Sequence, residues 1–127
     1  MSYITWEYYS SLSGTVTKEE FWKIEKRATI FLDTFTHNRV KRFVGNYTEE
    51  SATEFEKMIM GAIRLTMCEL IDKMNTFSNT QAASGLASVS NGGYSESYHK
   101  MTETEKKSEL QSIIRNGLAG TGLAGAL

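Results

Sequence analysis

Apolar side chains recur at spacings of three and four residues in the first third of the chain, directly after Thr17-Lys-Glu-Glu20. That tetrapeptide has the form of a capping box, in which the threonine hydroxyl accepts from a backbone N–H and the glutamate reaches back to the N-cap. The pattern predicts an amphipathic helix over 18–36. Its apolar stripe consists of Phe21, Ile24, Ala28, Phe31 and Phe35.

A second, wider apolar surface follows between Phe55 and Met74. It predicts a helix from about residue 50 to residue 75, with Ser51 or Thr48 as its N-cap. The surface is too wide for one partner helix. We therefore expect this helix to lie centrally, with the first helix on one side and a third helix or a neighbouring subunit on the other.

Two shorter helices are expected near the ends of the chain. Thr5 is a plausible N-cap for a helix over 5–12, and its aromatic residues are expected to pack onto the main helices. Thr102-Glu-Thr-Glu105 is a further capping box, and it predicts a helix over 103–116 that ends at Gly117. The fold class is therefore all-α: a small bundle of two long helices plus shorter N- and C-terminal helices.

The segment between the second and the last helix has a different composition. Residues 76–101 are rich in Ser, Gly and Asn and carry only two charged side chains, Glu96 and Lys100. Such a segment buries little apolar surface by itself, so we expect a protruding polar loop. Because Asn91-Gly92-Gly93 is a strong turn signal, the loop is expected to form a hairpin at about 78–100.

The chain ends in an uncharged, glycine-rich segment, residues 117–127. We expect a helical domain over 1–116 and a flexible tail over 117–127 that contributes little to the core. Both the loop and the tail are interpreted as surfaces that become ordered against other protein chains, which favours an assembly component. The apolar side chains expected at these interfaces are Tyr94, Tyr98, Leu118, Leu123 and Leu127.

Composition narrows the class of protein. The 127 residues suit one domain, and a net charge of −1 gives no bulk attraction to nucleic acid. The densest basic cluster is Arg39, Lys41 and Arg42, which either contacts phosphates or an acidic partner, or forms a solvated junction at a helix C-terminus. The start of the chain lacks the pattern of a signal peptide, and no apolar run is long enough to span a membrane, so we expect an intracellular protein.

No pattern of catalytic or ligand-binding residues stands out. The two histidines, His37 and His99, are far apart, and no His/Cys/Asp/Glu set has the spacing of a zinc site. No glycine-rich phosphate loop precedes a helix. The single cysteine, Cys68, falls within an apolar helical pattern and is expected to be a buried hydrophobe. We therefore expect no enzyme and no catalytic, cofactor-binding or metal-binding residues.

Several motifs occur in an order that is informative as a set. They are Tyr3-Ile-Thr near the start, Thr17-Lys-Glu-Glu-Phe21, Phe31-Leu-Asp33 followed by Arg39-Val40, the hairpin segment 87–98, and the C-terminal segment 113–123. Along nearly the whole chain, this order resembles the head–tail connector (adaptor or head-completion) proteins of long-tailed phages and prophages of Gram-positive bacteria.

The resemblance implies a structural virion protein without catalysis or cofactor. Members of that family form a ring, typically dodecameric, that connects the capsid portal to the tail or to a stopper and extends the DNA channel. The implied partners are the portal protein, a stopper or tail-completion protein, further copies of the chain, and passing double-stranded DNA contacted without sequence specificity. The implied location is the head–tail interface of the virion, after synthesis in the bacterial host cytoplasm.

An alternative from the residues alone is a small helical nucleic-acid-binding or regulatory protein that uses the basic cluster within 37–43. It requires that cluster to lie on an exposed helix face together with further Lys or Arg side chains, and the net charge argues against it.

Overall fold

The computed structural model describes residues 3–12, 16–90 and 102–124, and for residues 78–90 it describes the backbone alone. All regular structure in this part of the chain is helical, which confirms the predicted all-α class. The five helices are α1 (Trp6–Leu12), α2 (Lys18–Phe35), α3 (Arg39–Asn46), α4 (Glu54–Ser90) and α5 (Glu103–Gly117).

Helix α4 is the central element, as its wide apolar surface predicts. Both α2 and α5 pack directly against it, and α3 packs against α2. The interior formed in this way contains aromatic and aliphatic side chains from all five helices and from the segment after α5. Its largest fully buried apolar members are Tyr9, Phe21, Leu32, Val40, Ile63, Met67, Leu70, Ile71, Ile114 and Leu118.

Helix α1 is fixed to the bundle by aromatic packing. Thr5 caps it, because its hydroxyl accepts from the backbone N–H of Tyr8 at 3.1 Å. Tyr9 is fully buried, its ring lies 5.3 Å from that of Phe21, and its hydroxyl donates to Asp72 at 2.6 Å. The short helix therefore contacts both α2 and α4.

The predicted N-caps of α2 and α5 are confirmed. The hydroxyl of Thr17 accepts from the backbone N–H of Glu20 at 3.3 Å. Thr102 and Glu105 form a complete capping box, with the two reciprocal hydrogen bonds at 3.1 and 3.0 Å. Both helices begin where the local sequence places them.

The predicted N-cap of α4 is wrong. The cap is neither Ser51 nor Thr48 but Thr53, whose hydroxyl accepts from the Glu56 backbone N–H at 3.1 Å while the Glu56 carboxylate accepts from the Thr53 backbone N–H at 2.8 Å. The hydroxyls of Thr48 and Ser51 instead bond to each other at 2.7 Å in the preceding turn. Several residues in this segment could cap the helix. The one next to the apolar stripe forms the cap, because burial of that stripe fixes the start of the helix.

A tight turn joins α2 to α3. His37 and Asn38 both have left-handed backbones, with φ of 53° and 63°. The Asn38 N–H donates to the Asp33 carbonyl at 2.8 Å and the His37 N–H donates to the Thr34 carbonyl at 3.3 Å, which is the hydrogen-bond pattern of a Schellman motif. The turn ends α2 and leads into α3 without proline or glycine.

The basic segment after this turn was expected to be a junction, and it is helix α3. Val40 is fully buried, and Phe43 and Val44 are half-buried against the core. Three apolar positions at spacings of three and one give one narrow buried face, which the surrounding charges obscure in the sequence.

Helix α4 extends well past the predicted end at residue 75 and reaches Ser90. The loop expected from residue 76 and the first strand of the hairpin, which contains Ala87 and Val89, are helical instead. Once a helix is nucleated, each added residue needs only its own hydrogen bond, and residues 76–90 contain no proline and one glycine, Gly85. The Asn91-Gly92-Gly93 turn lies outside the described residues.

The segment after α5 also differs from the expectation of a tail that contributes little to the core. Leu118 is 1% exposed, and Leu123 and Ala124 are half-buried against the core. Left-handed backbones at Gly120 and Gly122, with φ of 82° and 80°, turn the chain back onto the bundle. The folded unit therefore includes the segment as far as Ala124.

Within the described residues, no helix is both long enough and apolar enough to cross a membrane.

Candidate interaction surfaces

A groove runs between α2 and α5 over the later part of α4. Its cavity measures about 620 Å³, and it continues into a neighbouring hollow of about 430 Å³ beside Phe77. The floor is apolar and is formed by Ile30, Phe31, Phe35 and Met74. Ile30 is 65% exposed, so this apolar surface is open to a partner. We call this feature the α2–α5 groove.

The rim of the α2–α5 groove is basic around its main cavity, and in the neighbouring hollow the Glu103 carboxylate pairs with the Lys106 ammonium at 3.5 Å. Arg27 and Lys107 line it and both are exposed. The guanidinium of Arg115 lies 5.4 Å from the ring centroid of Phe35, which places a third positive charge beside the floor. An apolar floor with a positive rim suits a partner with an apolar face and acidic edges, because both kinds of contact are then satisfied together.

A second surface is an apolar stripe on the first half of α4. Phe55, Met58 and Leu65 are 55%, 55% and 50% exposed, and Ala62 between them is half-buried. Their spacings of three, four and three residues are those of the a and d positions of a heptad, which form the seam of a coiled coil. We call these four residues the α4 seam.

The α4 seam has acidic borders. Glu54 at the start of the helix and Glu69, one turn after Leu65, are both exposed. Position 69 continues the heptad spacing, so its carboxylate lies in line with the apolar side chains. The seam is therefore an apolar helix face with negative ends.

Leu65 and Met74, which belong to the two surfaces, lie on opposite sides of the central helix. Leu65 of the seam and Met74 of the groove floor are nine residues apart, which is about two and a half helical turns. A half turn in excess of whole turns places two side chains on opposite faces of one helix. A single partner helix therefore cannot cover both surfaces of the same molecule.

The basic cluster lies in the first turn of α3. Lys41 and Arg42 are exposed, and the Arg39 guanidinium donates to the Thr36 carbonyl at the end of α2, at 3.4 Å. For Lys41 and Arg42, the interpretation as charges that stabilise a helix C-terminus is wrong, because they begin a new helix, where the dipole disfavours positive charge.

The residues predicted from sequence to form interfaces fall into three groups in the structure. Tyr94, Tyr98 and Leu127 lie outside the described residues. Leu118 belongs to the core of its own chain and is therefore not available as an anchor for a partner, which corrects the prediction. Leu123 is half-buried against the same core.

Sequence reasoning missed both the α2–α5 groove and the α4 seam as surfaces. The heptad spacing of the seam is visible in the sequence, but it merges there with the buried positions of the same helix. No local pattern indicates the groove, because its floor combines residues from α2 and α4 that only the packing brings together.

The buried polar groups act as structural contacts. The hydroxyl of Tyr3 donates to Asp33, and burial raises the pKa of Tyr3 well above its ordinary value. Glu25 is 3% exposed and accepts from the Thr29 hydroxyl at 2.7 Å. Burial raises the pKa of the Cys68 thiol to about 11, so at neutral pH the thiol is protonated. Among the described residues, no three His, Cys, Asp or Glu side chains are placed to hold a metal ion.

Comparison with known proteins adds no relative: no protein-family model, no curated protein and no solved structure matches this chain.

Proposed function

We propose that this chain is a structural subunit of a protein assembly, and specifically a ring-forming connector between the capsid portal and the tail or stopper of a long-tailed phage. The observation that carries the proposal is the α4 seam. Single exposed apolar residues are ordinary on a protein surface, but three large ones in heptad spacing on one helix face form a patch typical of an interface.

The connector class is supported by the order of sequence motifs. In that class the ring would be typically dodecameric, would bind the portal protein on one side and a stopper or tail-completion protein on the other, and would lie at the head–tail interface of the virion. Its channel would let double-stranded DNA slide, so contact with DNA would be weak and independent of sequence.

Self-association tests the first part of this proposal. Sedimentation velocity and electron microscopy of the purified chain should show a concentration-dependent, ring-shaped oligomer. Leu65→Asp should abolish it, since the substitution places a charge in the centre of the apolar seam. Lys57→Asp is the control: it places an aspartate on an exposed α4 position outside the seam and, although it changes the net charge by two units rather than one, it should leave the oligomer intact.

Binding to heads tests the second part. Purified protein should join portal-bearing, tail-less heads, and the Leu65→Asp variant should join them poorly. A chain that assembles into rings but ignores portals would contradict the connector function while leaving the assembly role in place.

A second function, nucleic-acid binding through the basic cluster, is favoured by one observation: Lys41 and Arg42 are exposed on a helix. Salt-sensitive binding of duplex DNA at sub-micromolar protein, lost on replacing both residues by Glu, would favour it. Weak binding without sequence preference in competition assays would favour the connector.

A further inference from the structure

We propose that the α4 seam of one copy docks into the α2–α5 groove of the next copy, so that the subunits associate head to tail. This inference rests on the proposed assembly function and names its contact. It makes each subunit contribute two different surfaces to two different neighbours, as a ring requires.

The shapes and surfaces of the two features are compatible. The seam is one face of a helix, and its apolar part from Phe55 to Leu65 spans about 15 Å at the helical rise per residue. The groove is an open apolar channel between two helices, with half-buried Phe31 and Phe35 on its floor. An apolar helix face laid into a groove between helices is a common mode of recognition.

The charges are complementary. Glu54 and Glu69 border the seam, and Arg27, Lys107 and Arg115 border the groove. Docking would bring the acidic borders against the basic rim, which favours the contact between seam and groove.

The same charges disfavour the parallel pairing of two seams. In a parallel pair Glu69 would face its own copy. That arrangement places two carboxylates together, and like charges across an interface are unfavourable. The seam therefore fits the groove better than it fits a parallel second seam.

The positions of the two surfaces permit the subunits to form either a closed ring or a continuing chain. Because Leu65 of the seam and Met74 of the groove lie on opposite sides of α4, and the rest of the groove floor belongs to α2, docking at one surface leaves the other free for the next subunit. A contact between two different surfaces is heterologous, and it generates a ring when the rotation between copies closes.

A mixing experiment tests this contact. Leu65→Asp blocks the seam, and Ile30→Asp blocks the groove; both residues are at least half exposed, so the fold should be unaffected, as thermal melting checks. Each variant alone should remain monomeric where the unmodified chain oligomerises. An equimolar mixture should form a one-to-one heterodimer and nothing larger, because one intact seam then meets one intact groove.

The other outcomes are distinct. If Ile30→Asp still self-associates and the mixture gives no heterodimer, seams pair with seams and the inference is overturned while self-assembly remains. If the unmodified chain stays monomeric up to about 1 mM, where even a weak contact is populated, both the assembly function and this contact are overturned.

Charge reversal provides an independent check. Arg27→Glu should weaken the association roughly three- to tenfold, and a second reversal, Glu69→Arg, should restore part of the loss. Lys57→Glu is the control for an equal change in net charge, and it should have little effect. Equal losses in Arg27→Glu and Lys57→Glu, with no restoration, would show that the groove rim does not contact the seam.

Discussion

At the scale of the residue, α5 lies close against α4 at Gly117. A Cβ atom there would lie 2.1 Å from the hydroxyl oxygen of Thr66 on α4, so only glycine fits without movement. Among the described residues, this buried hydroxyl has no hydrogen-bond partner. A tight contact and an unsatisfied polar atom therefore coincide where α5 meets α4.

Replacing Gly117 by Ala should lower the free energy of unfolding by about 1–3 kcal/mol, because overpacking outweighs the gain in helix propensity. Gly61→Ala is the control: nothing lies within 4 Å of its Cβ position, so the same substitution in α4 should stabilise by about 0.5–1 kcal/mol. Urea denaturation measures both. In the double variant with Thr66→Ala the penalty at Gly117 should shrink, and an unchanged penalty would place the strain elsewhere.

The Cys68 thiol makes the free energy of unfolding depend on pH in the alkaline range. Its folded pKa of about 11 lies above the ordinary value of 9.0, so the unfolded chain releases the thiol proton first as pH rises. The stabilisation is complete below pH 9 and is lost between pH 9 and pH 11, by up to about 1.4 kcal/mol per pH unit. Urea titrations at a series of pH values should show this slope, and Cys68→Ala should make it shallower. Equal slopes would mean that another group titrates.

At the scale of the element, competing signals for the start of α4 are resolved by the apolar stripe. Thr53→Ala should destabilise the protein by about 1 kcal/mol, because Thr53 caps the helix, whereas Ser51→Ala should change stability by much less. Thermal or urea unfolding of the two variants provides the comparison. A larger loss of stability in Ser51→Ala than in Thr53→Ala would show that Ser51 is the N-cap of α4, as the sequence predicts.

At the scale of the whole molecule, the segment after α5 is part of the folded unit. Leu118→Ala should cost about 2–5 kcal/mol, as expected for a fully buried leucine. Leu123→Ala should cost less, since that side chain is half-buried. A variant that lacks residues 118–127 should therefore melt at lower temperature than the complete chain. An unchanged melting temperature would show that this segment is a separate tail that does not contribute to the stability of the fold.

The central position of α4 links stability to assembly. One side of this helix holds the core with α2 and α5, and its opposite side carries the α4 seam. The substitutions Leu65→Asp and Ile30→Asp change the exposed surface, whereas the substitutions of Leu118 and Gly117 change the packing of the core. Comparing melting temperature with oligomeric state across these variants separates the two roles.

The sequence alone determines the helices whose signals are local. The stripe of α2 and the capping boxes at Thr17 and Thr102 need only neighbouring residues, so their positions are readable before folding. The all-α class follows in the same way, because apolar periodicity reports which face of each helix will be buried.

Tertiary structure decided the rest. Val40 gives α3 a buried face only because α2 lies beside it, and Leu123 packs against the core only because the chain turns back at Gly120 and Gly122. The α2–α5 groove exists only where side chains of separate helices meet. The burial of these side chains and the shape of the groove depend on contacts between residues distant in sequence, and local sequence patterns do not predict such contacts.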